Sequence, residues 1–235
     1  MISPIEIYQD AARDDANKSE NGYIPYEMFN RYLRRVEINL LKFLTGDLVM
    51  APDFPIPYNT QKCKDYLKRF IVSHKANDSF ELPDDYFYWD NLYKIGEFKS
   101  QDCETDEITT VEGCNTQIPI LDGQVFFTRC KSFIPGLKPS SGSPIAKIVD
   151  NKVITEPKNI GSMALEYIRY PKFGRIEVMV DDVHNDEVPD PDKSQNCEWD
   201  EWAREPLVWG IVNLFSKHTR EKSLREVNTM DKPRG

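Results

Sequence analysis

Basic residues are in deficit along this chain. Its 30 Lys and Arg face 39 Asp and Glu, a formal charge of −9 over 235 residues. Phosphate neutralisation needs a cationic excess on some face, so the balance argues against a dedicated nucleic-acid binder. Long apolar runs are missing too. No stretch approaches the ~18 apolar residues of a membrane span. Met1 is followed by Ile2-Ser3-Pro4, without a basic or an apolar region, so no signal peptide is expected. Cysteine is scarce and unpaired in pattern. The five, at 63, 103, 114, 130 and 197, are odd in number and show no C-x-x-C spacing. A zinc ribbon or a thioredoxin-like site is therefore not expected, and free thiols in a reducing cytoplasm are. Catalytic signatures are also lacking: no Walker A loop, no G-x-G-x-x-G after a strand, no G-x-S-x-G and no H-E-x-x-H. The three histidines, at 74, 184 and 218, lie far apart among polar neighbours. Acidic pairs such as Asp84/Asp85 and Asp181/Asp182 are too common to single out a glycosidase dyad. Internal repeats are not evident, which excludes a solenoid. The chain therefore reads as a non-enzyme that needs no cofactor.

Aromatics are plentiful, with eleven Tyr, twelve Phe and four Trp, so the chain is not disordered overall. Mean hydropathy is −0.58 all the same. Much of the surface must be polar or covered by partners. A chain of this length can bury one sizeable core, or one core plus an extension.

Helical signals dominate the first third. Ser3-Pro4-Ile5-Glu6 reads as a capping box opening a helix over about 4–17. Ile5, Tyr8 and Ala12 are its expected inner face, with Ile7 and Ala11 as further candidates. Asn17 to Gly22 reads as a turn. The strongest helix follows Pro25, over about 25–45. Phe29, Tyr32, Leu33, Val36, Leu40, Phe43 and Leu44 recur at three- and four-residue spacing, and Gly46 is a natural stop. Arg31, Arg34, Arg35, Glu37 and Lys42 fall on the other side. Arg31, Arg34 and Arg35 form either a solvated face or a basic stripe toward an acidic neighbour. Prolines 52, 55 and 57 make 51–59 an extended connector. Thr60 caps a third helix to about 71, with Cys63, Tyr66, Leu67 and Phe70 inward. Phe80-Glu81-Leu82 reads as extended, Pro83-Asp84-Asp85 as a short helical turn. Tyr86, Phe87, Tyr88, Trp89, Leu92 and Tyr93 exceed what one helix face can hide, so some are expected to meet a partner.

From about residue 96 the pattern turns to β. Ile108 to Val111 is a strand candidate. Residues 122–134 fit a short helix or a strand. Residues 145–149 and 153–155 flank Asp150-Asn151 as a hairpin. Met163 to Tyr170 alternates, and Pro171 closes it. Arg175 to Val180 offers another strand. Residues 181–200 carry Asp181, Asp182, Asp186, Glu187, Asp190, Asp192, Glu198 and Asp200 against Lys193 alone. Pro189 and Pro191 bar a helix there, and a solvated acidic loop is expected. Asp oxygens suit Ca²⁺, but EF-hand spacing is absent, so no metal ligand is assigned. A last helix spans about 200–220, with Trp202, Val208, Ile211, Val212 and Phe215 in one stripe and Trp199 and Trp209 off it. The mixed-charge tail beyond it carries no core pattern and reads as flexible in isolation.

Five of these segments, in order, resemble the head–tail adaptor ring proteins of short-tailed bacteriophages, in particular the ring proteins of crAss-like phages. They are Tyr26-Glu27-Met28-Phe29-Asn30-Arg31, Leu82-Pro83-Asp84-Asp85-Tyr86-Phe87-Tyr88-Trp89 and the hairpin from Pro144 to Pro157. Leu165-Glu166-Tyr167-Ile168-Arg169-Tyr170-Pro171 and Glu198-Trp199-Asp200-Glu201-Trp202 complete the series. The resemblance implies an α+β fold: a helical bundle of N-terminal helices and the C-terminal helix, an inserted antiparallel β-rich region and a C-terminal arm. It implies a virion structural protein without enzymatic activity. About a dozen copies would form a closed ring under the portal and line the DNA channel. Its partners would be itself in a dodecameric ring, the portal protein and adjacent ring or tail proteins. Genome DNA would pass the lumen without specific binding, and assembly would take place in the bacterial cytoplasm.

The expected organisation is a helical region 1–95, a β-rich region 96–180, an acidic loop 181–200, a helix 201–220 and an arm 221–235. Candidate partner-binding residues are Arg31, Arg34, Arg35, Tyr86, Tyr88, Trp89, Trp199, Trp202, Trp209, Lys217, Arg220, Lys222 and Arg225. A different reading is a monomeric binding or regulatory module acting through the acidic loop and the tail.

Overall fold

Apolar residues at three- and four-residue spacing make Tyr26–Thr45 (α2) a two-sided helix, and one side is buried. Phe29, Leu33, Val36, Leu40, Leu41, Phe43 and Leu44 face inward. Gly46, at φ 85°, ends the helix. Its amide and that of Asp47 turn back onto the carbonyls of Phe43 and Lys42, at 3.1 and 2.8 Å. The computed structural model describes residues 1–16, 24–49, 54–55, 60–77, 79–101, 108–134, 136–181 and 186–230. These form a mixed α+β chain with five helices and antiparallel sheets. Most of the 51–59 connector and the Asn17 to Gly22 turn lie outside the described residues.

The chain divides into two compact units. One comprises Met1–Tyr66 with Pro171–Gly235, the other Leu67–Tyr170. Strands begin at Ile71, so the expected helical region 1–95 ends about 25 residues earlier than the sequence suggested.

In the first unit, Pro4–Ala16 (α1) and α2 both pack on Arg204–Met230 (α5). The buried face of α1 is Ile7, Tyr8 and Ala11, while Ile5 and Ala12 are only half-buried. Tyr8 meets the rings of Tyr26 and Phe29, and its hydroxyl donates to the Ile24 carbonyl at 3.1 Å. Leu207, Val208, Ile211, Val212 and Phe215 are the inner face of α5. Pro206 is accommodated because it lies in the first turn, where its missing N–H has no helical partner to lose. Gly210 lets α5 approach α2: a Cβ there would come within 2.5 Å of Val36 Cγ1. Arg204 ties α1 to α5 through Asp10 at 2.8 Å and Glu6 at 3.3 Å. The helix runs to Met230, so residues 221–230 of the expected arm are helical in backbone. Thr60–Leu67 (α3) buries Cys63 and Leu67 and is followed by a 3-10 turn, Lys68–Phe70.

The expected acidic loop is a hairpin. Arg175–Val180 (β8) pairs antiparallel with Glu187–Gln195 (β9) in a two-stranded sheet. Pro189 and Pro191 are tolerated because each strand of a two-stranded sheet keeps an outer edge that needs no N–H. The Asn30 side chain completes the start of β8. It donates to the Ile176 carbonyl and accepts from its amide, both at 2.8 Å. Asp190 is buried and organises β9, accepting from the amides of Asp192 and Lys193 and pairing with Lys193 Nζ at 3.1 Å. Those contacts, the lysine foremost, hold its carboxyl below the usual range.

The second unit holds a four-stranded sheet in the order β1-β7-β3-β4, from Ile71–Asn77 (β1), Tyr86–Gln101 (β3), Ile108–Gln117 (β4) and Ser162–Arg169 (β7). A three-stranded sheet, β2-β6-β5, joins Phe80–Glu81 (β2), Ile145–Val149 (β5) and Lys152–Glu156 (β6). Leu82, Leu92, Ile118, Ala146, Val153, Met163 and Leu165 form the core between them. The Asp150-Asn151 turn has φ of 49° and 62°, the signs a two-residue hairpin requires. Gly123–Cys130 (α4) resolves the 122–134 ambiguity as a helix. Asp122 caps it through the amides of Gln124 and Val125, at 2.9 and 3.0 Å.

Candidate interaction surface

The expected partner-binding residues divide by burial and by unit. Arg31, Arg34 and Arg35 lie exposed on one side of α2, at spacings of three and four residues. The Arg34 guanidinium lies 5.1 Å from the Phe173 ring centre. Glu37, expected on that same solvent side, is fully buried. Trp199 is fully buried as well and has no surface for a partner, which corrects its assignment. Trp202 is half-buried, stacked 3.9 Å from Tyr66 and edge-on to Trp199 at 5.8 Å. Trp209 is half-buried and edge-on to Phe54 at 5.3 Å. It lines a groove of about 200 Å³ between α2 and α5, with Lys217 at the rim. Arg220, Lys222 and Arg225 belong to α5 by backbone, and their side chains lie outside the described residues.

The aromatic run 86–93 is strand, not helix. Pro83-Asp84-Asp85 forms a turn closed by the Tyr86 amide on the Pro83 carbonyl at 3.0 Å, and β3 starts there. Two register shifts break its alternation against β7, between Tyr86 and Tyr88 and between Trp89 and Asn91. Tyr86 and Trp89 therefore pack partly on the core, and Tyr88 remains exposed. Burial pushes the Tyr86 phenol up to about 12.

Asp85 joins the turn before β3 to the end of β7. It accepts the Tyr167 hydroxyl at 2.8 Å on its carboxylate and the Tyr170 amide at 2.8 Å on its carbonyl. The Leu82-to-Trp89 turn and the Leu165-to-Pro171 strand end are thus one internal fixture of the second unit.

Glu37 is the most unusual chemical group among the described residues. It accepts from the Gly174 amide at 3.2 Å, and the Cys197 thiol lies alongside it. Gly174 has no room for a side chain, because a Cβ would run into Cys197 Sγ. Burial outweighs these contacts and pushes the carboxyl up to about 8. Burial, with Glu37 alongside, also pushes the Cys197 thiol well above its ordinary range. Burial thus disfavours the thiolate and the carboxylate alike. Glu37 and its contacts pin the chain around Gly174 and Cys197 to α2.

No family model and no curated protein matches this chain.

Surface chemistry is therefore the remaining guide. No group of three or more His, Cys, Asp or Glu among the described residues could hold a metal ion. No helix among them is long and apolar enough to cross a membrane. Large apolar side chains are exposed in two places that the sequence reading passed over. One follows α4 in the second unit, with Phe127, Phe133, Ile134 and Leu137. The other is the far end of the β8–β9 hairpin in the first unit, with Val178, Met179 and Val180. Exposed apolar patches of this kind mark contact surfaces.

Proposed function

We propose that this chain is a virion structural protein of a short-tailed phage, a subunit of an oligomeric head–tail connector ring beneath the portal. The observation that carries the reading is the ordered series of five segments resembling the adaptor ring proteins. Three features support it. The helices at the two ends of the chain pack together in the first unit, with the β-rich 67–170 segment inserted between them, as the adaptor arrangement of a helical bundle with an attached β-structure requires. The chain exposes apolar surface in both units, as a subunit with neighbours would. Its net charge of −9 suits a channel that DNA must pass without sticking. In this reading the end of α5, from Lys217 onward, is the arm that docks on the portal or on a neighbouring subunit.

Quantitative mass spectrometry of density-purified particles tests the reading. About a dozen copies per particle are expected for a closed ring. Absence from the particle overturns it.

A further inference from the structure

The two exposed apolar sites carry opposite charge. From Gly123 to Val149 the chain has four cations, Arg129, Lys131, Lys138 and Lys147, and no carboxylate, while Asp122 and Asp150 bound the stretch and Glu156 acts on Cys130 of α4. This is a local reversal in a chain of net charge −9. Around α4 the cations flank exposed apolar groups: Phe133 is wholly in solvent, and Ile134 and Phe127 are about 60% exposed. Lys131 lies 4.1 Å from the centre of the Phe127 ring. Between Arg175 and Lys193, by contrast, there is no Lys or Arg. Asp186, Glu187 and Asp192 are exposed on that hairpin beside Val178, Met179 and Val180.

The hairpin is fastened at the start of β8 by Asn30, while its far end exposes apolar side chains. Val178, Met179 and Val180 are consecutive, so side chains on both faces of β8 meet solvent there. β8 and β9 pair only with each other among the described strands, so each keeps an outer edge unpaired with another strand.

We infer that the acidic, apolar end of the β8–β9 hairpin of one copy docks on the basic, apolar α4 surface of a second copy. This contact is heterologous, since different surfaces of the same chain meet. Repeated, it builds either a closed ring or an open filament. The exposed stripe of Arg31, Arg34 and Arg35 is the weaker mate, because it offers charge to the hairpin without apolar surface. The inference deepens the ring reading by naming its intersubunit contact.

Two variants of the full chain test it by sedimentation velocity. The first carries Phe133→Ser with Lys138→Glu, the second Met179→Ser with Glu187→Lys. All four side chains are exposed, so the fold should survive, and circular dichroism checks that. Wild type is expected to form concentration-dependent species larger than dimers, weakening as salt rises. Each variant alone should lose at least roughly tenfold in association constant. An equimolar mixture should recover a 1:1 dimer and stop there, because one intact hairpin meets one intact patch. A wild type that stays monomeric overturns the inference. So does association that ignores the hairpin variant, which would indicate patch against patch, and so does association that yields only to charge reversal at Arg31, Arg34 and Arg35. Binding of wild type to anionic vesicles without self-association would overturn it in favour of a lipid surface. The ring reading stands or falls separately on particle copy number. A dozen copies with association untouched by both variants discards only this contact.

Discussion

Replacing Glu37 by glutamine should flatten the pH dependence of the first unit's stability. The Glu37 carboxyl is fully buried and its pKa is pushed up to about 8, from an ordinary 4.5. The folded state therefore keeps a proton that the unfolded chain releases. Its stabilising contribution is complete below the ordinary value, declines as pH rises, and levels off above about 8. One proton held in only one state is worth about 1.4 kcal/mol per pH unit. Between about pH 5 and pH 7 wild type should lose on the order of 2–3 kcal/mol through this group, and roughly 1–2 more by pH 9. Cys197 stays protonated over that range and adds nothing to the slope. Glutamine presents an amide N–H to a site made of donors, so the variant carries a constant penalty. That offset does not vary with pH, and the slope is the readout. Urea unfolding followed by the fluorescence of Trp199, buried beside Glu37, reports the right unit. Parallel stability curves for wild type and variant from about pH 5 to pH 9 would refute the reasoning and require an ionised Glu37 at neutral pH.

Gly210→Ala should destabilise the first unit by about 1–3 kcal/mol despite the better helix propensity of alanine, because the new Cβ meets the stiff Val36 side chain. Chemical denaturation checks it, and a second change, Val36→Ala, should restore part of the loss. Asn30→Ala should cost about 1–3 kcal/mol by stripping two hydrogen bonds from Ile176, with faster amide exchange confined to the start of β8. Tyr167→Phe should cost about 1 kcal/mol through the lost bond to Asp85, measured as a shift in denaturation midpoint. Gly174→Ala should be worse than any of these, because neither Cys197 nor the backbone around it can move away without uncovering Glu37; a folded variant of wild-type thermal midpoint would contradict that packing.

Local pattern was enough for the elements whose partners are sequential or whose period is clean. The apolar repeat of α2 and its Gly46 stop, the Asp150-Asn151 hairpin and the inner stripe of α5 each follow from interactions within a few residues. Long-range placement settled the rest. Glu37 reads as a solvent-side charge in a helical wheel, and it is buried only because the chain around Gly174 and Cys197 arrives from more than 130 residues away, with the Gly174 amide to meet it. The aromatics after Tyr86 read as too many for one helix face. Pairing with β7 through two register shifts distributes them over a sheet, a pattern with no clean period to detect. The acidic run read as a loop because it is polar and carries prolines, yet β8 supplies an edge on which those prolines cost little. Composition and period thus determined the helices α1, α2 and α5, which turn is tight and where charge accumulates. Only the tertiary structure decided which charged group is buried, which tryptophan is hidden and which apolar side chains remain in water, because each of these depends on a neighbour that no local window contains.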